Sequence, residues 1–130
     1  MFTHVAVGTN DLQKSKQFYD ALFGAMGANP GMETSMETST RVVYSHNGAG
    51  FMVTEPLNGE PAQHANGGTI GFAMSSPEQI DVWHAAGIAS GGVSCEAAPG
   101  VRDTDIGKLY LAYLRDPDGN KLCAVFPLDQ

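Results

Sequence analysis

An internal repeat constrains the fold of this chain more than any other feature of its sequence. Residues 4–27 read HVAVGTNDLQKSKQFYDALFGAMG, and residues 69–92 read TIGFAMSSPEQIDVWHAAGIASGG. The two segments align without a gap at an offset of 65 residues, which is half of the 130-residue chain. Each copy has a short apolar run, a polar pair, a helix-like segment and a closing glycine. A repeat of this length indicates two copies of one supersecondary unit that bury a core together.

Each half of the chain is predicted to have the order β-α-β-β-β. In the first half, Asp11 is a good helix N-cap, and the predicted elements are a helix at 12–23 and strands at 2–8, 32–39, 40–45 and 50–54. In the second half a helix begins at Ser76, strands are predicted at 69–73, 93–97, 109–115 and 121–126, and residues 98–108 form a loop. The sequence therefore predicts a single α+β domain, residues 1–130, made of module 1 (1–57), a polar linker (58–68) and module 2 (69–130).

The first strand of each module has one large and one small face. The large residues, predicted to lie under the helices, are Val5, Val7, Ile70 and Phe72. The small residues on the opposite face are Ala6, Gly8, Gly71 and Ala73. A sheet surface covered by small side chains leaves space above it, so a concave cavity is expected between the paired modules, although small residues also permit close sheet packing.

Charge and cysteine content exclude several classes of partner. The chain has 14 acidic and 7 basic residues, a net charge of −7, which argues against nucleic acid or an anionic membrane surface as a partner. No apolar run approaches the about 18 residues of a membrane span. Cys95 and Cys123 form no CxxC pair, so a cytoplasmic protein with reduced thiols is expected, a disulfide between the two being the less favoured alternative.

The two repeat segments and the closing LRDPDGNKLCAVF together resemble the vicinal oxygen chelate superfamily, which includes glyoxalase I, bleomycin-resistance proteins and extradiol dioxygenases. The NDL and FY residues of the first strand–helix unit and the late DPDG turn carry this resemblance, which covers essentially the whole chain. It implies paired βαβββ modules that form a curved mixed sheet around a cavity, commonly in a homodimer. The Asp116 to Gly119 segment itself is interpreted as a tight turn rather than a catalytic motif.

In the metal-dependent members of this superfamily, four residues hold a divalent cation, two on the first strands of the modules and two on the last. The resemblance places His4, Met52, Thr69 and Cys123 at these positions. Only His4 is an ordinary ligand for a hard catalytic cation, since such a site requires imidazole and carboxylate groups. No cofactor is therefore expected, and the alternative is a divalent metal ion bound through His4 with Glu55 or Cys123.

His4 is the candidate catalytic residue, as a general base or a hydrogen-bond partner of a substrate, the alternative being a structural histidine. The candidate substrate-binding residues are Met52, Thr69, Arg102 and Cys123. Arg102 is a candidate anchor for a carboxylate, or a solvated loop cation, and Cys123 is equally interpretable as a small buried hydrophobe. His46 is expected to face solvent in a hairpin turn.

These observations predict a protein that binds a small organic molecule between its modules without the complete metal site of the superfamily. The alternative is a metal-dependent lyase, isomerase or dioxygenase of glyoxalase type, so the sequence leaves open whether the chain is an enzyme. A third hypothesis, an interaction subunit whose cavity is filled by aromatic side chains, belongs to a different functional class.

Overall fold

The first half of the chain forms a βαβββ module around a four-stranded sheet. The computed structural model describes residues 1–35 and 38–128. In chain order the elements of this half are β1 (His4–Gly8), α1 (Leu12–Gly24), β2 (Met32–Ser35), β3 (Thr40–His46) and β4 (Ala49–Thr54). The strand order is β1-β4-β3-β2, with β1 parallel to β4 and the other pairs antiparallel. The Asp11 side chain caps α1 by accepting a hydrogen bond from the Lys14 backbone N–H at 3.1 Å.

The second half repeats this arrangement with one additional strand. Its elements are β5 (Ile70–Ala73), α2 (Pro77–Ala89), β6 (Val93–Ser94), β7 (Gly100–Thr104), β8 (Gly107–Arg115) and β9 (Lys121–Pro127). The strand order is β5-β9-β8-β6, and β7 also pairs with β8. Ser76 caps α2 through the Gln79 backbone N–H, and Pro77 occupies the first turn, where its missing N–H has no intrahelical partner to lose.

The pairing register shows how closely the two modules correspond. Val5 lies opposite Phe51 in module 1, and Ile70 lies opposite Leu122 in module 2. Ile70 follows Val5 by 65 residues and Leu122 follows Phe51 by 71, which are the offsets that align the first and the last strands of the two halves. The predicted α+β fold of two paired βαβββ modules is confirmed, and its strands form two mixed sheets.

Both helices and both sheets contribute to the hydrophobic core. Its largest fully buried side chains come from the helices and include Phe18, Tyr19, Ile80 and Trp83. Complete burial of an aliphatic or aromatic side chain of this kind contributes about 1.5–3 kcal/mol. Val5, Val7, Ile70 and Phe72 pack against this core, as their strand face predicts. Of the described part of the chain, neither helix is long and apolar enough to cross a membrane.

Three predicted elements differ from the structure. Residues 98–108, predicted as a loop, contain β7, which forms a hairpin with β8 through Gly107 at φ 119°. The polar sequence of β7 hides this strand, because an edge strand needs no buried face. The strand predicted at 93–97 ends at Ser94, since Glu96 adopts a left-handed φ of 57°. The strand predicted at 32–39 covers Met32–Ser35, and residues 36 and 37 lie outside the described residues.

Candidate functional site

The two sheets are separated by a space that we call the seam, bounded by β1 on one side and β5 on the other. Each of these strands is the edge of its sheet. Both strands are fully described, and no Cα atom of β1 lies within 8 Å of a Cα atom of β5, so no backbone ladder joins them. Two cavities lie along the seam, and each is lined by residues of both strands. The predicted cavity between the modules is therefore divided in two.

The first cavity, which we call the aromatic cavity, has a volume of about 310 Å³. It is formed by the start of β1, the C-terminal end of α1, the β3–β4 hairpin and β5. Three of its aromatic rings contact one another: the Phe23 ring centre lies 5.0 Å from that of Phe51 and 5.5 Å from that of Phe72. Gly71 and Ala73, two of the small residues noted in the sequence, border this cavity and are exposed.

Polar side chains of this cavity come from β1 and the β3–β4 hairpin. His4 lies opposite Gly50 in the β1–β4 pair, and a Cβ atom on Gly50 would lie only 3.2 Å from the His4 Cβ. The His4 Nδ1 atom is 2.9 Å from the Thr3 hydroxyl oxygen. The His46 Nε2 atom is 3.3 Å from the Asn47 amide nitrogen. His46 is half-buried and lines the cavity, so the expectation that it faces solvent is not met.

The second cavity, which we call the polar cavity, has a volume of about 350 Å³. Ala6 and Gly8 of β1 line it, together with Thr69, Asn120 and Lys121 and with residues of the linker. Lys121 is the cation of this lining, and two groups hold its ammonium group. It forms an ion pair with the Glu96 carboxylate and lies 4.9 Å from the centre of the Tyr113 ring.

Cys123 and Cys95 lie on opposite sides of β8. Tyr113 of β8 pairs with Cys123 of β9, and the Cys95 backbone N–H contacts the Tyr113 carbonyl at 3.5 Å. Two strand spacings separate the cysteines, about 9.6 Å, which exceeds the about 7 Å that a disulfide tolerates between Cα atoms. Both thiols are free. Burial raises the pKa of the Cys123 thiol, and this favours the neutral form, which is a poor metal ligand and nucleophile.

A buried polar network joins α1 to the β8–β9 turn. The Tyr19 hydroxyl donates to the Asp116 Oδ2 atom at 2.5 Å, and both residues are buried. The backbone N–H groups of Asp118 and Asn120 each donate to Asp116 Oδ1 at 2.9 Å, which forms the predicted turn. The Ser15 hydroxyl lies 3.0 Å from Asp118 Oδ2. Sequence reasoning identified the turn but missed its connection to α1.

Comparison with known proteins decides the family. Residues 1–124 match the Glyoxalase/Bleomycin resistance protein/Dioxygenase superfamily. The chain belongs to this superfamily. It is 58% identical to a glyoxalase/bleomycin resistance protein from Albidiferax ferrireducens T118, whose crystal structure has a TM-score of 0.89 with 96% of this chain and 98% of that chain covered. No protein of curated function matches the chain.

More distant members of the glyoxalase superfamily share the fold. The lactoylglutathione lyase from Agrobacterium tumefaciens is 18% identical, with a TM-score of 0.64 and coverage of 96% of this chain and 92% of that chain. A glyoxalase/bleomycin resistance protein/dioxygenase family enzyme from Burkholderia phytofirmans PsJN is also 18% identical, with a TM-score of 0.68 and 95% of both chains covered. At these identities the likeness shows the fold alone.

The four residues at the metal positions of the superfamily do not provide a suitable donor set. Met52 lies opposite Ala6, and Cys123 lies opposite Gly71, so each occupies the same register position in its module. The Met52 sulfur contacts an Arg41 guanidinium nitrogen at 3.9 Å. Within residues 1–35 and 38–128, no three His, Cys, Asp or Glu side chains are grouped to hold a metal ion. A thioether, a hydroxyl and a buried neutral thiol do not fit a hard divalent cation.

Glu55 does not supply the missing carboxylate beside His4. His4 pairs with Gly50, and Glu55 lies five residues further along the chain, just past the end of β4. At about 3.3 Å per residue the two positions are about 16 Å apart. The Glu55 carboxylate instead accepts a hydrogen bond from the Thr40 backbone N–H at 2.9 Å.

Arg102 lies on β7 and not beside His4. Its guanidinium group donates to the backbone carbonyl of Ala98 at 2.9 Å and contacts that of Val101 at 3.4 Å. These bonds fix the Arg102 side chain over its own strand, and it lines neither cavity of the seam. Its suggested role as an anchor for a carboxylate stays a prediction.

Proposed function

We propose that this member of the glyoxalase superfamily binds a small organic molecule at the seam and lacks the complete metal site of its family. One observation carries the proposal: the space between the modules contains two cavities of about 310 and 350 Å³, while three of the four metal positions hold Met52, Thr69 and Cys123. Cavities of this size are typical of small-molecule sites.

His4 is the residue proposed to act on a bound molecule. It is exposed and borders the aromatic cavity, and the Thr3 hydroxyl at Nδ1 orients its ring. An imidazole in this position can donate or accept a hydrogen bond, or take a proton from a bound substrate. The structure gives Met52, Thr69 and Cys123 places on β4, before β5 and on β9, where contacts with a molecule in the seam are proposed. A protein of this kind either sequesters its ligand or transforms it with His4.

The test begins with metal content, measured by inductively coupled plasma mass spectrometry on untagged protein purified without chelator. We expect far less than one equivalent of zinc, nickel, iron or manganese, and no difference between the wild-type protein and His4→Ala. A near-stoichiometric metal that is lost in His4→Ala would overturn the metal-free proposal and support the metal-dependent lyase, isomerase or dioxygenase. No observation in the described residues favours that alternative.

Ligand binding provides the second part of the test. Trp83, the single tryptophan, is fully buried, and its ring lies 6.4 Å from Phe72, which lines the aromatic cavity. Its fluorescence should therefore respond when a molecule enters that cavity. Screening a library of small molecules should find ligands that change this fluorescence and raise the unfolding temperature. A library that gives no such ligand would contradict the proposal.

The protein is further proposed to act as a homodimer in the cytoplasm. Exposed apolar side chains support self-association: the exposed fractions of Phe2 and Val93 are 75% and 63%. The two free thiols are typical of a reducing compartment. Light scattering coupled to size-exclusion chromatography should give twice the 13.7 kDa mass of one chain, and a monomer at all concentrations would contradict the first proposal.

A further inference from the structure

We infer that the aromatic cavity selects an uncharged, two-ring aromatic molecule that carries one hydrogen-bonding group. This inference rests on the proposed function, which it makes specific. It concerns a space that contains only His4 of the four metal positions and reaches from the seam to the C-terminal end of α1.

The lining of the cavity excludes a charged ligand. None of its lining residues is Asp, Glu, Lys or Arg. Tyr44, which also lines it, directs its hydroxyl group to Asp20 at 2.7 Å and thus satisfies its own polar atom. A carboxylate or ammonium group inside the cavity would lose its hydration without gaining a counter-ion, and this desolvation is unfavourable.

The aromatic rings favour a planar guest. Phe23 meets Phe51 at an interplanar angle of 78° and Phe72 at 62°, while Phe51 and Phe72 are tilted by 55° with their centres 6.0 Å apart. Rings in these orientations present both faces and edges, and an additional ring can extend the same edge-to-face pattern.

The volume sets the size of this guest. An apolar cavity of about 150 Å³ accommodates benzene. The aromatic cavity, at about 310 Å³, has roughly twice that space, which corresponds to two fused rings.

The polar rim provides the hydrogen bond. Thr3 engages His4 at Nδ1, which leaves Nε2 for a ligand as far as the described residues are concerned. Asn47 contributes its amide at the same rim, beside His46. A hydroxyl group on the guest can reach this rim while its rings lie against the phenylalanines, so His4 determines which polar substituent is accepted.

Three probes test the inference by isothermal titration calorimetry at about pH 8, where an ordinary imidazole is neutral. The probes are 1-naphthol, naphthalene and the anion 1-naphthoate. We expect 1-naphthol to bind, 1-naphthoate to bind at least about tenfold more weakly because its charge is unpaired, and naphthalene to bind several-fold more weakly because it makes no hydrogen bond. In His4→Phe, the preference for 1-naphthol over naphthalene should disappear.

Filling the cavity locates the binding. A Cβ atom on Gly71 would meet no atom within 4 Å, so Gly71→Leu extends a side chain into open space without a clash in the fold. Ala73→Leu provides a second filling variant. Gly24→Leu is the matched control, because Gly24 is equally unobstructed, exposed and outside the cavity lining. We expect both filling variants to weaken 1-naphthol binding at least about tenfold, and Gly24→Leu to leave it unchanged, with all three variants retaining cooperative unfolding.

The possible failures are distinguishable. Equal or tighter binding of 1-naphthoate, or 1-naphthol binding that is unchanged in Gly71→Leu and Ala73→Leu, overturns the inference. If the library yields only charged or single-ring ligands whose binding is lost in Gly71→Leu, the inference fails and the proposed function stands. If no small molecule binds in a way that depends on Gly71, both fail.

Discussion

The hydrogen bond between Tyr19 and Asp116 should be a major contributor to the stability of this protein. Its donor lies on α1 and its acceptor on the β8–β9 turn, 97 residues away in sequence. The exposed fractions of the two residues are 0% and 3%. Burial raises the pKa of Tyr19 well above its ordinary value, with further contributions from Asp116, so the phenol stays protonated and donates to the carboxylate.

Substitution of Tyr19 by Phe removes this bond alone. The ring contacts remain, including the edge-to-face contact with Phe18 at 4.9 Å. Asp116 keeps three donors, the backbone N–H groups of Asp118 and Asn120 and the Asn120 amide at 2.8 Å. A hydrogen bond to a buried charged group contributes about 1.5–3 kcal/mol, so we expect a loss of about 2 kcal/mol in the free energy of unfolding. For a domain of this size, this corresponds to a fall of about 6–10 °C in Tm.

Urea denaturation followed by circular dichroism measures the loss, and the chain contains matched controls. Tyr110 donates to Asp81 at 2.7 Å in a solvent-exposed pair, so Tyr110→Phe should cost less than about 0.5 kcal/mol. Tyr44 donates to Asp20 at 2.7 Å in a partly buried pair, and Tyr44→Phe should fall between the other two variants. The three substitutions make the same chemical change next to the same type of residue. Equal costs for Tyr19→Phe and Tyr110→Phe would refute the reasoning from burial.

Three further predictions concern packing and pH. Gly87→Ala should destabilise the protein by about 1–3 kcal/mol, because its Cβ would lie 2.4 Å from a Leu114 methyl group, whereas Gly24→Ala meets no atom and should cost nothing in thermal unfolding. Burial lowers the pKa of His84 from 6.5 although a nearby aspartate opposes the shift, so the unfolded chain binds more protons, stability should fall on acidification below about pH 6.5, and His84→Gln should lose this dependence in urea titrations. Burial tends to raise the pKa of Asp20, but hydrogen bonds from Gly31, Lys16 and Tyr44 outweigh it and lower the pKa below 3.8, so the stabilisation by Asp20 should be present above pH 3.8 and be lost as the pH falls through the lowered value. The stability difference between the wild type and Asp20→Asn should shrink over that range, and a constant difference would contradict the assignment.

The internal repeat predicted most of the fold because its signals are local. Alternation of large and small residues set the faces of β1 and β5, and Asp11 and Ser76 marked the starts of both helices. The offsets of 65 and 71 residues reappear in the registers of the two parallel strand pairs. Each of these features depends on residues that are close in sequence or on a periodicity that runs along one element.

The candidate site was less predictable because it depends on the relative position of two modules. Phe23 and Phe72 have the pattern of core residues, and no sequence signal distinguishes a ring that fills the core from one that borders a cavity. His46 has the pattern of a turn residue, but the left-handed Asn47 that follows it, with φ of 51°, closes the hairpin beside the start of β1. The cavity is therefore a property of packing, whereas the weak donor set at the metal positions was evident from residue types alone.

The polar network also explains why the seam persists as an open space. Gly8 and Asn120 both line the polar cavity, and the Asn120 amide contacts the Gly8 carbonyl at 3.3 Å while donating to Asp116. The same turn that receives the Tyr19 hydroxyl thus holds one end of β1. A bonded contact of fixed length keeps β1 at a set distance from module 2, whereas apolar packing alone would favour closure of the gap. We therefore expect the width of the seam, and the ligands it admits, to depend on this hydrogen-bonded turn as much as on the residues that line the cavities.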